Sequence, residues 1–388
     1  IVGCAIWAKK GSRLGAFTVL GVVALYLAIM LGSEMPLALP GPLPGLGVPA
    51  TWIIILFVYA AIASMLPVWA LLQPRDFING MQLAVGLILL YGAVLIAGPE
   101  ITAPAFNTDA DASAPSIIPL LFVTIACGAV SGFHGIVASG TSSKQLNKEP
   151  DARFVGYLAA LGEGSLALIT IVTVSGALLA ISPEAWHELY HGFNKQGGAK
   201  PFVEGGADLI EAGWGLSAGV ASTLLATMVA LFAGTTMDSG VRLQRYIIQE
   251  WGDIYNIKPF RNGLIATVIA VGACLTLSFG AGGSEGTGGM IIWPLFGTTN
   301  QILAGMTLLV ISTMLIKAKR PASVTLVPMV LVLTVALWAS LLTLADFFEK
   351  SNWLLLTINL LVIITTIMVI LDALSVTYMQ ERAKKKGG

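Results

Sequence analysis

The chain is dominated by apolar runs that are long enough to cross a lipid bilayer. A hydrocarbon core of about 30 Å needs roughly 20 apolar residues, and in lipid every backbone N–H and C=O must be bonded within the segment, as in a helix. Ten such runs are predicted as helices, at residues 14–32, 50–72, 81–98, 117–140, 153–181, 216–240, 262–280, 290–316, 323–346 and 353–377. Only 11% of the 388 residues are charged, against roughly 25% in soluble proteins. The sequence therefore predicts an all-α polytopic membrane protein.

The basic residues are distributed unequally between the two sides that these runs create. Only three of the 21 Lys and Arg residues, Lys195, Lys200 and Lys350, fall on one side, and the loops of the other side carry the rest, Arg75 among them. Because cytoplasmic loops are enriched in Lys and Arg, both termini are expected in the cytoplasm. The chain opens inside what looks like the last turns of a helix, so we expect an N-terminal part to be missing.

Outside the predicted membrane helices, the sequence has one long polar segment and no domain linker. Residues 1–388 are interpreted as a single transmembrane domain, with an extracytoplasmic loop at 182–215 that carries a short helix starting near Ser182 and Pro183. The three cysteines fit no metal or disulfide spacing. No cofactor, no metal and no nucleic-acid partner are predicted.

Several membrane runs are interrupted by Gly or Pro next to polar residues. The interruptions are at Pro67, at Gly128, Gly132 and Gly135, at GTTMD (234–238) and at WPLFG (293–297). Discontinuous helices whose exposed ends bind ions and carboxylates are typical of secondary transporters. Gly and Pro are also common in ordinary membrane helices, but four interruptions together favour a passage for solute.

Two ionisable residues inside the runs are candidates for proton coupling. His134 is the only histidine in an apolar run, and an imidazole titrates in the physiological range. Glu163 lies about a third of the way along its predicted helix, where an ionised carboxylate costs a few kcal/mol. A packing histidine and a structural hydrogen bond are the ordinary alternatives for these two positions.

Oxygen and aromatic side chains near the interruptions are candidates for binding an ion or the substrate. Ser131, Thr235 and Thr236 could supply oxygen ligands, although tight helix packing uses the same residue types. Asp238 could bind a coupling ion or pair with Arg242 one turn away. Further candidates for hinges, cavity walls or a substrate vestibule, against ordinary packing, are Pro67, Trp69, Trp293, Asn300 and Gln301. With no Arg or Lys deep in a run, a carboxylate would be held by helix N-termini and hydroxyls.

One motif indicates a different class of protein. Residues 187–191 spell H-E-x-x-H, which on a helix places His187 and His191 on one face for zinc, with Glu188 as a general base. The motif lies in a polar loop, Gly192 follows at once, and no third ligand is evident. A membrane metalloprotease is therefore kept as an alternative, together with a channel that needs no coupling ion.

The stretch CGAVSGFHGIVASGTSSKQL resembles the carbon starvation protein A (CstA) family of bacterial and archaeal membrane transporters. LPVWALLQPRDFIN, DARFVGYLAALGEG, FAGTTMDSGVRLQRYIIQE and WPLFGTTNQILAGMTL resemble further signatures of that family, in order, over nearly the whole chain. On these motifs the resemblance marks Ser131, Gly132, Phe133 and His134, and also Pro67, Trp69, Glu163, Asp238, Arg242, Trp293, Asn300 and Gln301.

The resemblance implies a symporter of the plasma membrane that takes up peptides or small carboxylates such as pyruvate during carbon starvation. It implies a proton gradient, or a sodium gradient, as the driving force, and a core of two five-helix inverted repeats. The N-terminal helices of the family, with their paired-histidine segment, are absent from this sequence. We therefore expect the first repeat to be incomplete and part of the central site to be missing.

Overall fold

The computed structural model describes residues 14–35, 46–103, 105, 115–178, 181–184, 186 and 198–386. Within these ranges the chain forms twelve α-helices. They are α1 (Leu14–Glu34), α2 (Val48–Met65), α3 (Leu72–Ala97), α4 (Phe122–Ala126), α5 (Gly132–Gly140), α6 (Asp151–Val172), α7 (Lys200–Trp214), α8 (Ala218–Ile254), α9 (Gly263–Gly282), α10 (Gly288–Lys317), α11 (Ser323–Glu349) and α12 (Trp353–Lys386). Short π-helical segments cover Ile117–Leu121 and Thr173–Leu178, and 3₁₀ turns cover Ser142–Gln145, Lys258–Arg261 and Gly283–Glu285.

The prediction of an all-helical polytopic bundle is confirmed. Eight helices of the described chain are long and apolar enough to cross a membrane, and two shorter apolar helices, Leu20–Gly32 and Ile117–Ala126, accompany them. Each of these ten segments overlaps one of the ten predicted runs, with ends that differ by up to 14 residues. Their apolar surfaces remain largely exposed, as expected for helices that face lipid rather than water.

The first compact unit comprises the described residues of 1–114 and 161–286. Its core centres on Leu90, Ile169 and Leu225, contributed by α3, α6 and α8. Helix α3 runs antiparallel to α8, because Arg75 and Asn79 contact Asp238 and Thr235 while Gly86, further along α3, lies beside Met228.

Helix α7 belongs to the same unit, although it lies within the loop expected at 182–215. It buries Phe202, Leu209 and Ile210 on one face, at a spacing typical of an amphipathic helix. At its C-terminus Trp214 Nε1 donates a hydrogen bond to the Leu89 carbonyl at 2.8 Å. Part of this polar loop is therefore a packed helix, and the short helix expected near residue 183 lies largely outside the described residues.

The second compact unit comprises the described residues of 115–160 and 287–388. Helices α10 and α11 pack through Leu309, Met329 and Leu333. Helices α11 and α12 are joined by a buried polar contact, since Ser340 Oγ donates to Asn359 Oδ1 at 2.6 Å and Asn359 Nδ2 returns a bond to the Ser340 carbonyl at 2.9 Å.

Two of the four predicted interruptions coincide with the ends of helices, although the one at Pro67 is a turn between two separate membrane-spanning helices. The first separates α2 from α3 at residues 66–71, where Pro67 follows the end of the helix, because the residue before a proline is disfavoured in the helical conformation. The second separates α4 from α5 at residues 127–131.

The other two predicted interruptions were wrong. GTTMD lies inside the continuous helix α8, where the Thr236 hydroxyl donates back to the Phe232 carbonyl at 3.0 Å. Pro294 lies inside the continuous helix α10. A single Gly or Pro is tolerated in a membrane helix because neighbouring Ser and Thr side chains can satisfy backbone groups.

Candidate functional site

The break at residues 66–71 is held by a buried arginine from α8. Arg242 Nη2 donates to the carbonyls of Ala63 at 3.0 Å and Leu66 at 2.9 Å, at the C-terminus of α2. The last carbonyls of a helix have no partner within the helix, and a cation is favoured at this end by the helix dipole. Arg242 therefore fixes one side of the break.

A buried ion pair fixes the other side of the same break. Arg75 in the first turn of α3 donates through Nη1 to Asp238 Oδ2 of α8, and the same nitrogen donates to the Tyr59 hydroxyl at 2.7 Å. The Tyr59 hydroxyl in turn lies 3.5 Å from Asp238 Oδ2. Arg75 is 5% exposed and Asp238 is 1% exposed.

This ion pair corrects two predictions from the sequence. Asp238 was interpreted as either an ion ligand or the partner of Arg242, but its ion-pair partner is Arg75, because the guanidinium of Arg242 is taken by the backbone carbonyls. Arg75 was expected in a loop, and it is buried at the start of a helix. Arg75 and Arg242 thus stabilise the chain around Pro67 and Trp69. The side chains of Pro67 and Trp69 are exposed.

A cleft of about 260 Å³ lies between α3 and α8, next to the ion pair. It is lined by Asp76, Asn79, Gly80, Phe232, Thr235 and Thr236. Asn79 Nδ2 donates to Thr235 Oγ1 at 2.8 Å, which joins the two helices across the cleft. The predicted residues Thr235 and Thr236 therefore line this cleft, and Asp238 lies in the ion pair next to it.

Sequence reasoning missed Arg75, Asp76, Asn79 and Gln82. A signal was present, because Arg75, Asn79 and Gln82 recur at intervals of four and three residues in an apolar helix, and this spacing places them on one face. All three are buried. A polar stripe at helical spacing within a membrane run is thus informative even when no single residue lies deep in the run.

The second break, at residues 127–131, is closed by Asn300 of α10. The side-chain oxygen of Asn300 accepts a hydrogen bond from the Phe133 N–H at 2.9 Å, and its Nδ2 donates to Ser131 Oγ at 3.1 Å and to Cys127 Sγ at 3.0 Å. Asn300 thereby caps the N-terminus of α5, a role that the residue directly before a helix usually has. Ser131, Phe133 and Asn300, predicted separately, meet at one place.

Gly132 allows this close contact between α5 and α10. A Cβ atom at this position would lie 2.6 Å from the backbone nitrogen of Ala304 and 2.5 Å from Leu303 Cβ. Backbone atoms cannot move aside cheaply, so only glycine fits. The glycine of the SGFH motif thus has a packing role in the structure.

The other predicted site residues differ in their exposure and contacts. His134 is exposed on α5, and Glu163 is half-buried on α6. Trp293 is exposed and packs on Phe296 with 5.2 Å between ring centroids, while Gln301 is fully buried next to Asn300. The H-E-x-x-H motif, with His187, Glu188 and His191, lies outside the described residues.

Comparisons with known proteins identify the family of this chain. A family model described as "Carbon starvation protein CstA" matches residues 1–190 and 179–339. The chain is 32% identical over 401 residues to a protein of Campylobacter jejuni named "Peptide transporter CstA", which covers 88% of this chain and 56% of that protein. It is 31% identical over 403 residues to the Escherichia coli "Pyruvate/proton symporter BtsT", which covers 85% of this chain and 56% of that protein.

The chain spans about half the length of the curated relatives that it matches. No solved structure matches it.

Proposed function

Because the chain belongs to the carbon starvation protein CstA family, we propose that it is the membrane core of a cation-coupled transporter. The solute is a small peptide or a carboxylate such as pyruvate, and the coupling ion is H⁺ or Na⁺. The observation that carries the proposal is the similarity, over more than four fifths of this chain, to proteins named as a peptide transporter and as a pyruvate/proton symporter.

The two helix breaks supply the physical support for transport by alternating access. In such carriers a few residues at the ends of helices absorb the change in backbone angles when the site opens to one side or the other. The turn around Pro67 and Trp69, which joins the membrane-spanning helices α2 and α3, and the break before Gly132 are two places in the described chain where the backbone leaves the helical conformation. We propose them as hinges, with the inverted-repeat core that the family resemblance implies.

The candidate residues receive the following proposed roles. His134 and Glu163 take part in proton coupling. Ser131, Gly132, Phe133, Thr235, Thr236, Asp238, Trp293, Asn300 and Gln301 contribute to the binding of ion or substrate, or to the walls of the cavity. The protein resides in the plasma membrane of a bacterium or archaeon, with both ends of this chain in the cytoplasm.

The comparisons favour transport over the metalloprotease alternative. The relatives are named as transporters rather than proteases. An uncoupled channel is distinguished by experiment, since a channel cannot accumulate its solute against a gradient.

Uptake into proteoliposomes tests the proposal. The complete protein is reconstituted, and the accumulation of labelled pyruvate and of labelled dialanine is followed under an imposed proton gradient or sodium gradient. Accumulation above equilibrium that collapses with a protonophore, or with a sodium ionophore, supports the proposal and identifies the ion. Equilibration without accumulation would instead indicate a channel.

Two substitutions test the proposed coupling residues. His134→Ala and Glu163→Gln are expected to abolish accumulation while membrane insertion is preserved, because each removes a group that can exchange a proton. Normal accumulation by either variant removes that residue from the mechanism. Lys350→Met, a change in an exposed surface residue, is the control.

A further inference from the structure

The cleft between α3 and α8 contains a carboxylate whose surroundings differ from those of its neighbour Asp238. Asp238 is buried, and it is bonded by Arg75 and approached by Tyr59. Asp76 lines the cleft with a side chain that is 40% exposed. Its Oδ1 is a buried atom without a hydrogen-bond partner among the described residues, and the Thr235 side chain bonds the carboxylate. Asp238 is therefore fixed in a buried ion pair, whereas the neighbouring carboxylate of Asp76 is partly exposed to the cleft.

Buried polar atoms without partners continue from Asp76 along α3. Asn79, which lines the cleft and is 4% exposed, uses its Nδ2 but leaves Oδ1 without a partner within the described structure. Gln82, one turn further on the same face, is fully buried, and neither atom of its amide has a described partner. An unpaired buried polar group costs about 1–3 kcal/mol. Buried polar groups without partners are explained by a bound water or ion, or by a role in proton transfer.

The nearest charged groups determine which ligand suits Asp76. Arg75 Nη2 lies 3.9 Å from Asp76 Oδ1, and Arg75 itself is held by Asp238. Arg242 is engaged with the carbonyls at the end of α2, and Tyr59 accepts from Arg75. A metal ion on Oδ1 would therefore sit next to a guanidinium, and like charges at this distance repel.

Of the other helices that pack on α3, α7 adds no titratable group close to Asp76, whereas α1 adds the phenol of Tyr26, five residues or about 8 Å along that helix from Gly21. The acidic residues of α7 lie near the opposite end of α3, where Trp214 meets Leu89, which is about 20 Å along the helix from Asp76. In the described part of α1, Gly21 lies beside Ile78, and Glu34 is about 20 Å further along that helix. A proton needs no coordination sphere, so it fits the site better than a metal ion.

We propose that Asp76 is a proton-carrying residue of the transport cycle, with Asn79 and Thr235 as the neighbours that accept or donate hydrogen bonds as its charge changes. The carboxylate takes a proton from water in the cleft and releases it, as H⁺, to the other side after the conformational change. This inference rests on the proposed function. It assigns a coupling role to a residue that is distinct from His134 and Glu163.

The test separates driven accumulation from passive exchange in proteoliposomes that hold the complete protein. Asp76→Asn keeps the shape of the side chain and removes the titration. The variant is expected to lose proton-driven accumulation of labelled pyruvate or dialanine by at least about tenfold, a modest value for the loss of a proton-transfer group. Exchange of labelled for unlabelled solute at equal pH on both sides is expected to stay within about twofold of the wild type, because it needs no net movement of protons.

Two further variants complete the design. Asp76→Glu restores a titratable group and is expected to recover proton-driven accumulation. Asp253→Asn, which neutralises an exposed carboxylate near the C-terminus of α8 that pairs with Arg261, is the matched control and is expected to behave as the wild type.

Infrared difference spectroscopy of the purified protein between low and high pH gives a readout that does not depend on transport. The wild type is expected to show the C=O stretch of a protonated carboxyl that is missing in Asp76→Asn. Accumulation by Asp76→Asn at the wild-type level overturns the proposal, and so does a spectrum without an Asp76-dependent signal. If the wild type transports neither probe, the proposed function is wrong for these solutes, and the spectrum alone decides whether Asp76 binds a proton.

Discussion

Removing Arg75 from its ion pair with Asp238 is expected to destabilise the protein strongly. Both side chains are almost completely buried, at 5% and 1% exposure. Loss of one partner of a buried pair leaves an uncompensated charge and costs about 3–5 kcal/mol. In Arg75→Met the Asp238 carboxylate would keep, as its hydrogen-bond partner within the described structure, the Tyr59 hydroxyl at 3.5 Å, with the more distant charge of Arg242, and a typical hydrogen bond contributes about 0.5–1.5 kcal/mol. Tyr59 therefore cannot replace the guanidinium.

The pair formed by Lys350 and Asp346 provides a matched control. Its atoms are 2.9 Å apart, but the two side chains are 70% and 48% exposed. An exposed pair of this kind contributes about 0.2–1 kcal/mol. Lys350→Met is therefore expected to cost several times less than Arg75→Met, although each substitution breaks one ion pair with an aspartate.

Denaturant unfolding in detergent micelles, followed by tryptophan fluorescence, measures these differences. The double variant Arg75→Met with Asp238→Asn completes a thermodynamic cycle. Because it removes both charges, its loss of stability should be smaller than the sum of the two single losses by about 2 kcal/mol or more. Equal costs for Arg75→Met and Lys350→Met, or additive costs within the cycle, would refute the reasoning.

Two further predictions concern the packing of α5 and the surface of α7. Gly132→Ala is expected to lower the unfolding free energy by about 1–3 kcal/mol, because its Cβ would overlap the backbone of Ala304. Gly164→Ala, at a helix position with open space, should instead raise it by up to about 1 kcal/mol in the same denaturation assay. Burial raises the pKa of Asp208, with Glu204 and Glu211 adding to the effect and the Ser182 hydroxyl opposing it. At pH values just above the ordinary pKa of aspartate, the folded state therefore binds more protons than the unfolded state. The free energy of unfolding then falls as pH rises through that window. Relative to the wild type, Asp208→Asn should gain stability as pH rises there, and a difference that does not change with pH would contradict this assignment.

The fold class and the number of membrane segments could be predicted because they depend on local properties. A run of sufficient length and apolarity forms a helix in lipid whatever its neighbours are. The break at Pro67 was also predictable, because the restriction that proline places on the preceding residue is local. The break before Gly132 was expected from its glycines, although its closure by Asn300, 167 residues away from Phe133, was not.

The candidate site was predicted only in part, because each motif marks residues without their partners. Thr235 and Thr236 were singled out, but the cleft that they share with Asp76 and Asn79 forms only when α3 and α8 pack. The polar residues of α3 were overlooked because they lie near the start of the helix, where a sequence pattern resembles a loop.

By itself the sequence determined that this chain is a bundle of membrane-spanning helices of the CstA family, since length, hydropathy and ordered motifs are properties of the chain alone. Only the tertiary structure decided that Asp238 pairs with Arg75, 163 residues away, rather than with Arg242, four residues away. The reason is physical: a guanidinium binds the nearest unsatisfied oxygens in space. The crossing of α2, α3 and α8 places helix-end carbonyls next to Arg242 and a carboxylate next to Arg75.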